Sequence, residues 1–552
     1  MELSSQIQTL VQKRMKIWLD KNMASRLWQK DPCIWKENPE EQVELANRLG
    51  WLNIIEQMQN KIKELKTLVE DVCSRYDHVI LLGMGGSSLA PEVFFKTFGN
   101  KKGYPDLKIL DSTHPQAVQN ILDNYPLTKT LFLVSSKSGG TIETISFYKF
   151  FYSRLQKKTN EPGRHFIALT DAGSGLEKIA REKGFFEIFN TPEDVGGRFS
   201  ALTYYGLLPA ALIGMDLELL LKEALVMKND CSPSNPVDKN PGFILGAALG
   251  EMALQGKDKV SFIISPAVAS FGDWIEQLIA ESTGKEGKGI LPVTAEDVLG
   301  IEYFGDDRVF VYLRLEHDDN KELDRFVEKL KKDNRPVISI RLKDKYDLGG
   351  EFFRWEMTTA MIGEVLKIHP FNQPDVQLAK TLAAESLQAY KKDGQLPQST
   401  PVYNKDNISV FGASAGAGIK EIIHKFFSSL HKGDYIAIMG FIPPSDEVDR
   451  LLREFANGLL KKYHVPVTTG YGPRFLHSTG QLHKGGKNNG YFVQITCEPE
   501  EDFEVADAGY SFNVLISAQA QGDMQALINR GRKVIRFHIH GRMVDGLKKL
   551  LH

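Results

Sequence analysis

Residues suited to holding a phosphate gather in two short loops. Met84-Gly85-Gly86-Ser87-Ser88 follows the apolar run HVILLG, and Ser135-Ser136-Lys137-Ser138-Gly139-Gly140-Thr141 follows TLFLV. Each loop lies between a strand-like run and a helical pattern. Glycines permit a tight turn, hydroxyls supply rotatable donors, and a helix N-terminus adds free N–H groups and the positive end of a dipole. Two such loops, about one strand–helix–strand unit apart, point to a phosphorylated small molecule held in an α/β sheet. No glycine precedes Lys137 and the four-residue Walker spacer is missing. G-x-G-x-x-G is also absent, which argues against a dinucleotide.

Three further segments carry groups that could react. In Glu193-Asp194-Val195-Gly196-Gly197-Arg198-Phe199-Ser200, the glycines allow close backbone approach and Arg198 offers a fixed charge for an oxyanion. A structural pairing of Arg198 with Asp194 fits the local chemistry equally well. Glu281 stands near the end of a predicted helix that buries Trp274, Ile275, Leu278 and Ile279 and stops at Gly284. There the negative end of the helix dipole strengthens a carboxylate as a base, although an idle exposed glutamate is the commoner occupant. Lys380 follows Gln373 by seven residues, two helical turns, so both can face one way.

These groups need a scaffold. The 552 residues suggest about three to four domains. Short apolar strands alternate with helices from Val79 onward, as in a parallel sheet covered on both faces. The expected units are an N-terminal helical segment (1–70), two α/β units (71–226 and 242–390) and a C-terminal α/β unit (408–552). Leu45, Leu49, Leu52, Ile55 and Met58 predict one buried helical face in the first of these. Met227–Pro241 reads as a connector, and the polar stretch from Lys391 to Asn407 as a linker. The small-residue turn Gly412–Gly418 reads as structural.

Lys+Arg 68 against Asp+Glu 70 gives no attraction for nucleic acid or an anionic membrane. Four separated cysteines and no long apolar run fit a reducing cytoplasm, without disulfides, zinc or a membrane span.

Five segments occur in a shared order: LLGMGGSSLAP, VSSKSGGTIET, VGGRFS, WIEQLIAESTGKEGKG and PFNQPDVQLAK. Together they resemble the glucose-6-phosphate isomerase family over roughly residues 70–385. RLWQKDPCIW near the start and RFLHSTGQLHKGG near the end resemble the isomerase half of bifunctional transaldolase/glucose-6-phosphate isomerase proteins, with no transaldolase portion expected. The resemblance implies two sugar-isomerase (SIS-type) doubly wound domains and aldose–ketose isomerisation in glycolysis and gluconeogenesis, through ring opening and a cis-enediol(ate). It implies neither metal nor other cofactor. Glu281 matches the proton-transferring base, Arg198 the cation at the enediolate, and Lys380 a ring-opening group. Ser136, Lys137, Ser138, Thr141 and Gln373 match the phosphate side, and Gly86, Ser87 and Gly197 the sugar side.

One departure stands out. The family's Q-H-S-like histidine segment after the glutamate is replaced by Leu291–Gly300, which has no histidine. Leu476-His477-Ser478-Thr479-Gly480-Gln481 offers a substitute from the C-terminal unit, and His477 is the favoured ring-opening histidine. His369 and then His483 are the competitors, while His538 and His540 read as structural. The family takes this histidine from a neighbouring subunit, so a homodimer and action within one chain both stay open. Two alternative functions remain. One is another phosphosugar isomerase, including a dual glucose/mannose 6-phosphate enzyme. The other is a non-catalytic phosphosugar-binding module.

Overall fold

In the computed structural model, which describes residues 1–412 and 415–551, the apolar runs become strands buried on both faces. His78–Gly83 and Thr130–Ser135 illustrate this: Val79 to Leu82 and Leu131 to Val134 are all fully buried. Each such aliphatic side chain contributes about 1.5–3 kcal/mol, enough to commit these runs to central strands. Ala413 and Ser414, from the small-residue turn, lie outside the described residues.

There are three sheets among the described residues. The first is fully parallel, in the order Asp106–Leu110, His78–Gly83, Thr130–Ser135, Phe166–Asp171, Glu187–Thr191. The second places Leu291–Val293, Lys259–Ile264, Arg308–Leu315 and Val337–Leu342 side by side in parallel. The third sets Val467–Tyr471, Tyr435–Phe441, Gly490–Cys497 and Lys533–Ile539 in parallel, then adds the antiparallel strands Ile408–Phe411 and Tyr403–Lys405. All three share one winding: the second parallel strand lies outside the first, and the third and fourth follow on the other side. Chain direction therefore reverses beside the first strand, and open α/β sheets leave a crevice at that point.

Two features differ from the sequence expectation. Glu2–Leu3 is an antiparallel edge strand on the second sheet, paired with Ser339 and Ile338. The expected helical face from Leu45 to Met58 is buried as anticipated, but spread over three short elements: Pro39–Ala46, Gly50–Asn53 and Ile54–Gln59. The break falls where Gly50 N–H donates to Asp194 O at 2.9 Å. A Cβ there would lie 2.2 Å from the Asp194 carboxylate, so the chain turns against that loop instead of continuing its helix.

Between the first two sheets runs Leu348–Leu366, a helix buried on nearly every side. Such a helix must be apolar all round, as most of its residues are. The linker is shorter than expected, because the helix Val376–Asp393 consumes its first residues. That helix packs closely on Phe512–Asn529, where a Cβ on Gly522 would meet Ala383 N at 2.7 Å. The contact brings the third unit against Lys380.

Candidate active site

Gly83 and Ser135 are register partners on adjacent strands, so the two glycine–hydroxyl loops emerge side by side at the switch point of the first sheet. A cavity of about 600 Å3 opens there, within the range that small ligands occupy. Ser87, Ser138, Thr141, Gly197, Arg198, Glu281, Gln373, Lys380 and His477 all line it, with Gly86 and Lys137. Sequence positions almost 400 residues apart thus share one pocket.

The second loop closes one end of the cavity with groups suited to an anion. Thr141 precedes the helix Ile142–Leu155, and its side chain makes no capping bond, leaving the first-turn N–H groups free for a ligand. Ser136 is placed differently from its neighbours: it is buried, donates to Thr141 Oγ1 at 3.0 Å, and does not line the cavity. Lys137 reaches the cavity wall, but its ammonium lies 2.6 Å from Asp171 and 3.2 Å from Glu193 O. The dipole and hydroxyls therefore carry most of the attraction for an anion here.

The first loop is set by close packing. A Cβ on Gly86 would lie 2.1 Å from Gly197 O, so only glycine lets this loop rest on the Arg198 turn. Arg198 is buried and does not pair with Asp194. It donates to Ser282 Oγ (2.7 Å), Gln373 Oε1 (3.0 Å), Pro370 O (2.8 Å) and Asn372 O (3.2 Å). Its Nη1 is 3.6 Å from Glu281 Oε1. Burial pulls the guanidinium below its ordinary range while Glu281 opposes the shift, and a guanidinium stays charged at neutral pH.

Glu281 lies in the last turn of Phe271–Thr283, with its other oxygen accepting from Gln277 Nε2 at 3.0 Å. Gln277 stands one turn earlier on the same face and also donates to His477 O at 2.7 Å. One amide thus ties the carboxylate to the backbone of the C-terminal histidine. Further along, Lys285 holds the Gln373 loop through His369 O (2.8 Å) and Asn372 O (2.5 Å). Burial and then Arg198 push its ammonium well below the usual lysine range.

His477 Nε2 lies 2.9 Å from Glu143 Oε1, which also accepts from Gln519 Nε2 at 2.7 Å. Burial alone would raise the Glu143 carboxyl, but His477 and more distantly Lys380 hold it below the usual range. The carboxylate orients the imidazole through Nε2, which leaves Nδ1 as the ring nitrogen turned away from Glu143. Glu143 sits within the second loop's segment, yet only the folded chain pairs it with a histidine. Gln277, Gln519 and Lys285 likewise lacked a local signal.

The other histidines are placed elsewhere. His369 is buried, and its Nδ1 accepts N–H groups of Phe371 (3.1 Å) and Asn372 (3.2 Å), shaping the loop. Burial, then Lys285 and Arg198, push it down to about 3. His483 is packed among Tyr435, Phe475 and Phe492. His538 and His540 belong to the third sheet and its margin and do not line the cavity.

The His477 segment is anchored by Arg474. From the third unit it reaches Glu92 (2.5 Å), Asp111 (3.2 Å) and Asp273 (3.6 Å) on the first two. Lys96 is the second cation, at 2.8 Å from Glu92. Nearby Glu276 is pushed up to about 8, by burial and then Asp273. It keeps its proton in the fold up to that pH but releases it near 4.3 when unfolded, so its contribution is full below about 4.3 and is lost as pH rises through about 8. Glu276→Gln is expected to raise the thermal midpoint more at pH 8 than at pH 5; an equal shift at both would show that Glu276 ionises normally.

With this geometry in view, likeness to known proteins is informative. Residues 50–298 match phosphoglucose isomerase. That segment makes up somewhat less than half of the chain. The probable glucose-6-phosphate isomerase of Methanococcus maripaludis is 28% identical over 390 residues, 64% of this chain and 87% of that one. The glucose-6-phosphate isomerase of Methanocaldococcus jannaschii is 28% identical over 383 residues, 62% of this chain and 93% of its own. Among solved structures, a hypothetical protein of Thermus thermophilus superposes with a TM-score of 0.61 at 24% identity, over 70% of this chain and 99% of its own. A glucose-6-phosphate isomerase of Chlamydia trachomatis gives 0.52 at 18% identity, over 67% and 78%. These two establish the fold. The matched segment contains both loops, Arg198 and Glu281; Gln373, Lys380 and His477 lie beyond it.

Proposed function

We propose that the chain interconverts glucose 6-phosphate and fructose 6-phosphate, with Glu281 as the base. The observation that carries this reading is Glu281 beside Arg198, 3.6 Å apart, on the wall of a cavity whose other end is a helix N-terminus. The phosphate docks at Ser138, Thr141 and the helix start, with Gln373 alongside. Ring opening breaks the C1–O5 bond: one proton leaves O1 and one arrives at O5, handled by His477 and Lys380 as an acid/base pair. Glu281 then removes the C2 proton as the C1 carbonyl becomes an enediolate oxygen, which Arg198 stabilises. The glutamic acid returns its proton to C1 while the proton on O2 passes to O1, leaving a carbonyl at C2 and a hydroxyl at C1, which completes the ketose. All these groups line one cavity of a single chain, which supports His477 acting in cis.

A coupled assay of fructose 6-phosphate turnover, with mannose 6-phosphate as the comparison substrate, tests the reading. No glucose 6-phosphate formation would overturn it. His477→Ala is expected to slow turnover of the cyclic sugar by about 10²-fold or more while sparing proton exchange on an open-chain analogue. Wild-type turnover of the cyclic sugar in that variant would assign ring opening to another group.

A further inference from the structure

Two imidazoles and a carboxylate converge at the edge of the third unit, and none of them lines the cavity. His538 lies on the strand Lys533–Ile539, His540 just past its end, and Glu498 just past Gly490–Cys497. Cys497 is the register partner of Ile539, so the two strand ends lie level. Side chains two apart share a face, which aligns His538 with His540.

The nitrogens facing the carboxylate are His540 Nδ1, 2.9 Å from Glu498 Oε1, and His538 Nε2, 3.9 Å from it. One donor atom from each of the three residues lies within 4.8 Å of the others. The outward nitrogens are both engaged by hydroxyls. His538 Nδ1 is 2.9 Å from Thr496 Oγ1, and His540 Nε2 is 2.8 Å from Ser409 Oγ. An imidazole that donates its outer N–H to an oxygen has its inner nitrogen deprotonated and correctly turned for coordination.

We propose that Glu498, His538 and His540 form a binding site for one divalent transition-metal ion, with water at the remaining positions. Two imidazole nitrogens and one carboxylate suit zinc, cobalt or nickel better than magnesium or calcium, which favour all-oxygen sites. Binding replaces the contact between His540 Nδ1 and Glu498. The ion ties the last strand to the start of the segment that returns to Phe512–Asn529, the helix that carries Gln519. Its expected role is to brace that segment rather than to take part in the isomerisation.

The test uses the full, untagged chain, stripped with chelator. Zinc is titrated by equilibrium dialysis and cobalt by its visible absorption. One ion per chain is expected, with zinc raising the thermal midpoint. Glu498→Ala, at an exposed position, and His538→Ala are each expected to weaken binding by about 10-fold or more, and Thr496→Val by about 10-fold through loss of the orienting hydroxyl. Less than one ion bound, or zinc affinity unchanged in Glu498→Ala or His538→Ala, overturns the site.

Discussion

Replacing Glu281 by glutamine lowers kcat for fructose 6-phosphate by about 10²–10⁴-fold and leaves KM within a few-fold of its value. Glutamine keeps the size of the side chain and removes its capacity to take a proton from carbon. Its carbonyl oxygen can still accept from Gln277 Nε2, as Glu281 does at 3.0 Å. Arg198 remains held by Ser282, Gln373, Pro370 and Asn372, so the pocket keeps its shape. The phosphate end is formed by other residues, which is why binding is largely spared. Measurement combines the coupled assay with thermal unfolding and with exchange of the C2 hydrogen of glucose 6-phosphate in deuterated water. Wild-type kcat together with normal exchange would place the base elsewhere.

The second large effect is expected far from the chemistry. Arg474→Met removes one of two cations from a partly buried group containing Glu92, Asp111 and Asp273. Removing one side of a partly buried ion cluster costs about 1–3 kcal/mol, between the cost for an exposed pair and that for a fully buried one, because the remaining charges keep part of their hydration. Burial pushes Glu92 upward, but Arg474 with Lys96 holds it down at about 2, while burial raises Asp111 and Asp273. Without Arg474 all three carboxyls move upward and take up protons as pH falls. The stability gap between variant and wild type should therefore narrow from pH 8 to pH 5. Arg474 also precedes His477 by three residues on the same loop, so loosening it should slow turnover of the cyclic sugar more than exchange on an open-chain analogue. Arg474→Lys restores charge but not the forked geometry, and a partial recovery is expected. Unchanged unfolding at pH 8 would remove Arg474 from this role.

Much of this molecule was legible without its structure. Runs such as HVILLG and TLFLV are too short and too apolar to be anything but buried strands, and the loops after them carry the glycines and hydroxyls of an anion site. One helix end was equally readable, since Gly284 follows the helix of Glu281, whereas the helix of Lys380 runs on to Asp393, inside the expected linker. The N-terminal helices were less so. Spacing alone joined Leu45 to Met58 in one helix, whereas the approach of Gly50 to Asp194 divides it.

Pairings across the chain had no local signal. Arg198 could equally have met Asp194 by sequence proximity, but its fork is filled by the loop Pro370–Gln373, and Asp194 turns to Lys30 at 3.5 Å. Choosing among thirteen histidines required knowing which imidazole faces the cavity and which is spent on a loop, as His369 is. Glu143 acquires its partner 334 positions away. The sequence by itself determined the strand–loop–helix units and the residue types at their ends, because hydrophobic period, helix stops and glycine freedom act over a few residues. Only the tertiary structure decided which of those ends meet. That choice depends on how three similarly wound sheets pack together, and on where partly buried charges such as Arg474 find their partners.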